Sequence, residues 1–547
     1  MLGPVIAGLW GTIGPAFGYL PFLDMNSFTL EPFRALFAWS GFERAAGLSL
    51  LAGFVTTLVS LIVVILLTAG WSGTRPFRAL ERLLSPLLSV PHAAAAFGLA
   101  FLISPSGWLA RITSPALTGW ERPPDLLITQ DPMGFSLIAG LIVKEIPFLL
   151  LMVLAALPQT DATRAQTVTQ TLGYGRVAGW LKSVFPQVYR QIRLPVFVVL
   201  AYAMSVVDVA LILGPTTPPT LSVQIVKWMS DPDLSMRTVA AAGALVQLAL
   251  VIFALGVWCL GERIVAAIGL RWVSSGLRCR RDRGLRVLGF GFGGLAAVAV
   301  LLGIAVLVMW SFAGFWSFPS ALPDTFNGKT WARHSDGALG LAATTAFIAL
   351  AAVAIALVIA IGCLETEYRQ GITLGQRGLT LLYLPLIIPQ IAFLPGLQTL
   401  LLGVGADRGV LPVILAHLVF VLPYVFLSLG DPFRQWDARF GTVASVMGAS
   451  QNAVLWKVRL PMLLRPVLTA FAIGVAVSVG QYLPTLLMGG GRVSTLTTEA
   501  VALASGGDRR AIGVFSLAQT GAALLPFLFA LLIPTVLWRN RKGLQHG

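Results

Sequence analysis

The chain has 547 residues and a formal net charge of +15, with 56% hydrophobic and only 11% charged residues. Soluble domains carry roughly 25% charged residues, so this chain has too little charge to solvate the surface around a core that would have to hide about 306 apolar side chains. An ordinary soluble protein and a nucleic-acid binder are excluded alike, despite a pI near 10.4, and a protein with the lipid bilayer as its solvent remains.

A spanning helix needs ~20 mostly apolar residues, because the hydrocarbon is ~30 Å thick and each residue rises ~1.5 Å. Twelve stretches qualify: 3–22, 47–70, 84–104, 136–157, 195–213 and 238–260, then 288–312, 338–363, 379–403, 409–429, 466–489 and 513–538. The first is interrupted by Gly3, Gly8, Gly11, Gly14, Gly18, Pro4 and Pro15, residues that membrane helices tolerate better than soluble ones. It reads as a span rather than a signal peptide, since no Lys or Arg precedes Arg34.

Twelve crossings put both termini on one side. With that side cytoplasmic, the inner loops carry 25 basic and 8 acidic residues, a net of +17, while the outer loops and the spans carry −1 each. This asymmetry predicts cytoplasmic termini. Its largest share comes from the segment between the sixth and seventh spans, where Arg263, Arg271, Arg278, Arg280, Arg281, Arg283 and Arg286 face only Glu262 and Asp282. That segment, 261–287, reads as a basic linker fixing topology. Cys259, Cys279 and Cys363 form no CxxC pattern, so neither a disulfide framework nor a metal site is predicted.

The loops after spans four and ten match at a constant offset of 275, with identities at Thr167/Thr442, Val168/Val443, Gly173/Gly448, Ala178/Ala453, Lys182/Lys457, Pro186/Pro461 and Arg190/Arg465. An offset close to half the length predicts two six-helix units in one orientation, residues 1–260 and 288–547, with a pathway between them. Each loop, 161–194 and 437–464, holds a helix-compatible run, a Gly and a second run with a Lys and a Pro. A helix–turn–helix at the membrane surface is predicted, with glycine supplying a positive φ. Duplicated elements of this length point to a partner with two similar docking sites, or to a pair of amphipathic helices resting on lipid.

These loops resemble the EAA loop of bacterial ABC-importer permeases, whose pattern is Glu-Ala-Ala, three residues, Gly, nine residues, then Ile-x-Leu-Pro. Thr167-Val168-Thr169, Gly173 and Pro186 occupy it in the first half, and Thr442-Val443-Ala444, Gly448 and Pro461 in the second. The leading Glu is Thr in both copies, a departure that bears on any charged contact made there. The chain is most similar to fused permeases in which one polypeptide supplies both halves, the type associated with thiamine and iron(III) uptake, and to a thiamine-importer-like subgroup. The resemblance implies the type I ABC-importer permease fold, an all-α polytopic protein of the bacterial inner membrane. It also implies two copies of a cytoplasmic ATPase, which would bind the ATP and Mg, and a periplasmic substrate-binding protein. The chain itself offers only Gly328-Lys329-Thr330 as a partial P-loop, with Pro323 where the first Gly belongs. No cofactor and no enzymatic activity are therefore expected of it.

Ionisable groups within spans cost ~2.5–3.5 kcal/mol each on insertion scales, so Lys144, Glu145 and Asp208 need a reason. The depths of Lys144 and Asp208 agree well enough for the two to pair across helices, with Phe420, Val421 and Gln481 in the matching places of the second half. Either Asp208, Gln481 and Tyr482 line a pathway for a cationic substrate, or these groups form a buried structural pair. His417 reads as a core histidine bonded to a backbone carbonyl. His92, His334, His417 and His546 are too scattered for a membrane-embedded enzyme. The segments 214–236 and 488–511 share Thr-Leu at 220–221 and 495–496 and read as a receiving surface, a gate or re-entrant caps. The function predicted is ATP-driven import by alternating access; an ion-coupled secondary transporter of two six-helix halves is the alternative.

Overall fold

The computed structural model describes residues 2–372, 375–407 and 409–538. Among them the regular structure is helical. Eight helices are long and apolar enough to cross a membrane, and two bent pairs raise the number to ten. The remaining two predicted stretches are shorter or broken: the first is α1, Leu2–Ala16, and the fifth is interrupted at Val206-Val207.

Local chemistry explains where the observed boundaries depart from the predicted ones. The third span was expected to begin at 84, yet Pro91 ends an amphipathic helix, Arg75–Leu87, whose buried Phe77, Leu80, Leu84 and Leu87 keep helical spacing. The span proper starts at His92. The ninth bends by 80° between Ile387 and Gln390, where Pro389 removes an amide donor. Two helices outrun the hydrocarbon: Met236–Ser274 has 39 residues and Lys329–Gln370 has 42, roughly 58 and 63 Å at ~1.5 Å per residue. The expected linker is accordingly helical at both ends, and only 275–282 lies outside regular structure.

Each half's first helix packs against the other half. Leu2–Ala16 lies against Gln390–Gly403, and Arg283–Phe312 lies against Phe42–Trp71 and His92–Ile103. Small residues allow the approach. A Cβ on Gly11 would stand 2.4 Å from the Gly396 carbonyl oxygen, and one on Gly98 2.8 Å from the Gly303 carbonyl carbon. Gly8 and Gly11 of the first span are therefore contact residues.

One hydrophobic core joins both halves at the end away from the two loops, through Phe97, Leu213, Trp310, Phe393 and Leu496 among others. Toward the loops the core divides. Trp180, Val184 and Ile146 share a core with Ala296, Ala297 and Val300 of the second half's first helix, and Phe433, Leu429 and Leu364 belong to a separate core built from the second half. Arginines reinforce the joined end: Arg509 donates to the Ser106 carbonyl at 3.1 Å, and Arg111 to that of Ser317 at 2.7 Å.

Candidate functional site

Two places collect the sequence-predicted residues: the paired loops and a polar cluster between the halves. In the first loop, Ala162–Thr171 is followed by Gly173 at φ +81° and by Arg176–Ser183. In the second, Ala438–Val446 is followed by Gly448 at φ +87° and by helical turns through Met462. The closures agree bond for bond. The Gly173 amide donates to Gln170 O at 2.9 Å and that of Tyr174 to Thr169 O at 3.1 Å; the Gly448 amide donates to Ser445 O at 2.9 Å and that of Ala449 to Ala444 O at 3.0 Å. Both are Schellman closures, in which the left-handed residue is glycine because a Cβ is unfavourable there. Thr167, Val168, Thr442 and Val443 are exposed, as are Pro186 and Pro461. Each loop therefore presents a free face.

The loops differ in their anchoring. Lys182 gives its ammonium to the carbonyls of Trp272 and Leu277, whereas its counterpart Lys457 is exposed. The second loop is held by a residue absent from the predicted set. Arg459, 1% exposed, pairs with Glu365 at 2.5 Å and lies 3.5 Å from the Tyr368 ring centroid and 4.2 Å from that of Trp436. The matching position in the first half is Val184, so no repeat signal marked this anchor.

Inside the protein, the expected pairing of Lys144 with Asp208 does not form. Lys144 turns the other way and donates to the carbonyls of Leu87, Leu88 and Val90 at 3.0, 3.3 and 2.6 Å. Its neighbour Glu145 faces His92, with 3.7 Å between Oε1 and Nε2. Successive residues point about 100° apart on a helix, which sends the two groups to different neighbours. Asp208, buried, opens the short helix Asp208–Leu213 after the break in the fifth span.

The eleventh span breaks in the same manner at Gly480, Gln481 and Tyr482 before Leu483–Gly489. The helices restart at Asp208 and at Leu483, so Gln481 lies in the break itself while Asp208 opens the helix that follows. Gln481 is bonded to Gln390 at 3.4 Å.

Around these breaks, side chains from both halves converge. The His92 and Tyr202 rings are 5.0 Å apart. Asp208 is within electrostatic reach of His92, Tyr202 and Tyr482, and Glu145 within reach of Tyr202 and Tyr424, with Tyr383 beyond. Four of the chain's eight tyrosines, Tyr202, Tyr383, Tyr424 and Tyr482, thus gather here. The scarcity of tyrosine was the available signal; without the fold nothing linked positions so far apart. His417 is a core histidine, but its partners are the Ser478 and Thr485 hydroxyls at 2.8 and 2.9 Å rather than a carbonyl. His546 lies outside the described residues.

The segments 214–236 and 488–511 fold into short, largely buried helices, Leu221–Met229 and Leu496–Leu503. The first amide of each is bonded to a hydroxyl of another span, Leu221 to Ser49 and Leu496 to Thr345. The helices are buried, whereas residues of the turns beside them, among them Thr216, Thr217, Asp233, Gly490, Gly491 and Arg492, are exposed.

Over its whole length the chain is similar to the inner membrane ABC transporter permease protein YnjC of Escherichia coli K12, with 30% identity over 551 residues and 98% of each chain covered. The chain belongs to the family of inner-membrane ABC transporter permeases. Residues 352–537 match the binding-protein-dependent transport system inner membrane component. A third of the chain matches the spermidine/putrescine transport system permease protein PotC of Haemophilus influenzae, at 29% identity over 66% of that protein. The molybdenum transport system permease protein ModB of Mycobacterium bovis is 31% identical over 38% of this chain and 76% of its own length. No solved structure matches. With this family and its apolar helices, the chain is a multi-pass inner-membrane permease.

Proposed function

We propose that this permease is the membrane pathway of an ATP-driven importer, built as two fused six-helix units, residues 1–260 and 288–547, with the termini in the cytoplasm. Two copies of a cytoplasmic ATPase dock on the loops carrying Gly173 and Gly448, and a periplasmic binding protein delivers the solute to the opposite end. The observation that carries this reading is the pair of exposed helix–glycine–helix loops with matching hydrogen-bonded closures. ATP and Mg belong to the partner subunits.

The substrate we propose is a small cation, with a thiamine-like solute as the leading case. Glu145 and Asp208 supply negative charge in a low-dielectric setting, and Tyr202, Tyr424 and Tyr482 supply ring faces that attract cations. Helix breaks at Val206-Val207 and Gln481-Tyr482 put backbone polar groups beside that charge. Introducing Trp at both Gly173 and Gly448 is expected to abolish co-purification of the ATPase while the membrane protein stays folded. An ATPase retained by that double variant rejects the docking reading.

A further inference from the structure

We infer that the segment joining the two halves is part of the first ATPase docking face and makes that face chemically unlike the second; the inference rests on the loops being docking sites. Residues 275–282 lie across the first loop. The Gly175 amide donates to Arg278 O at 2.9 Å, and the Val177 amide to Asp282 Oδ2 at 2.7 Å. Lys182 donates to Leu277 O at 2.9 Å with its ammonium 4.6 Å from the Trp272 ring centroid, and Arg280 Nε donates to Gly173 O at 3.2 Å. The fit is close enough to need glycine: a Cβ on Gly175 would stand 2.2 Å from the Cys279 carbonyl oxygen.

Seated in this way, the segment leaves Arg278, Arg280 and Arg281 exposed beside the tip of the first loop, while Asp282, its one acidic residue, is buried. Both loop tips show apolar side chains, Val168 and Leu172 at 50 and 56% exposure in the first and Val443, Val446 and Met447 at 60, 84 and 82% in the second, but only the first has the three exposed arginines beside it. Its anchor, the buried Arg459, points away into the protein. Identical ATPase copies therefore meet an apolar tip at both loops and an added cluster of three exposed arginines at the first alone. The complementary partner surface at the first loop is acidic. Contacts between exposed charges weaken as salt shortens the Debye length, from ~10 Å at 0.1 M to ~3 Å at 1 M, whereas apolar contacts do not.

The test uses the complex purified from native membranes and counts ATPase copies per chain by native mass spectrometry across a sodium chloride series. Wild type is expected to lose one copy at moderate salt and hold the other. R278Q/R280Q/R281Q is expected to hold a single salt-resistant copy at low salt, with an unchanged melting temperature; R281Q alone, the milder variant, is expected to shift the first loss to lower salt. V443S/M447S is expected to hold one salt-sensitive copy. The inference is overturned if the triple variant keeps the wild-type salt profile or sheds both copies together. If wild type carries no ATPase, the docking reading itself fails; if it carries two that leave in one step, only the inequivalence fails.

Discussion

At the residue scale, Lys144 and Glu145 show how neighbours in sequence come to serve different structures. The Lys144 ammonium satisfies three carbonyl oxygens of the turn before His92, and leaving a buried polar group unpaired costs about 1–3 kcal/mol. Lys144→Met is therefore expected to lower the melting temperature of the purified permease while the affinity of the surviving protein for substrate stays unchanged. Asp208→Asn is expected to do the reverse, weakening uptake at least tenfold with little effect on melting. Equal effects of the two variants on both measurements would sink the distinction. Asp131 supports the fold from a loop, accepting bonds from the amides of Phe135 and Ser136 and from the Ser136 hydroxyl, all at 2.8 Å. Burial raises its pKa, but these bonds outweigh burial and hold the carboxyl below its ordinary value. A depressed folded pKa stabilises above the unfolded value, ~3.9, and the contribution is lost as pH falls through the folded one. The melting difference between wild type and Asp131→Asn should thus be flat from pH 5 to 8 and shrink only below about pH 4.

At the scale of elements, glycine does two separate jobs. Gly173 and Gly448 hold positive φ where a helix must close, whereas Gly98 and Gly303 leave room for two helices to touch. The first role was legible, because a repeated Gly at fixed distance from a repeated Pro marks a turn. The second was not: the glycines of the first span read as interruptions, since a sequence does not say which helix approaches which. Gly303→Leu should destabilise the folded permease by about 1–3 kcal/mol or more, as overpacking does, measurable as a drop in melting temperature. Gly261→Leu, where a Cβ meets nothing within 4 Å, should leave melting unchanged and serves as the control.

At the scale of the whole molecule, the halves exchange their first helices, so residues of both halves enter the large common core and also the core beside the first loop. Neither half then buries its own apolar faces alone. Residues 1–276 and 277–547, cut at the exposed Gly276, are expected to aggregate when expressed separately and to co-purify when expressed together. A monodisperse single half would show that the exchange is dispensable. The core beside the second loop shares no residue with the one beside the first, so each loop end rests on its own packing unit.

The membrane class, the apolar stretches and the duplicated glycine-centred loops were set by the sequence alone, because each depends on composition or on residues close along the chain. The tertiary structure decided what depends on approach between distant segments: that Lys144 faces carbonyls rather than Asp208, that three tyrosines meet two acids, that Arg459 anchors one loop and the joining segment the other. Side-chain partners inside a bilayer are selected by which helices cross and at what depth, and neither quantity is written in hydropathy or spacing.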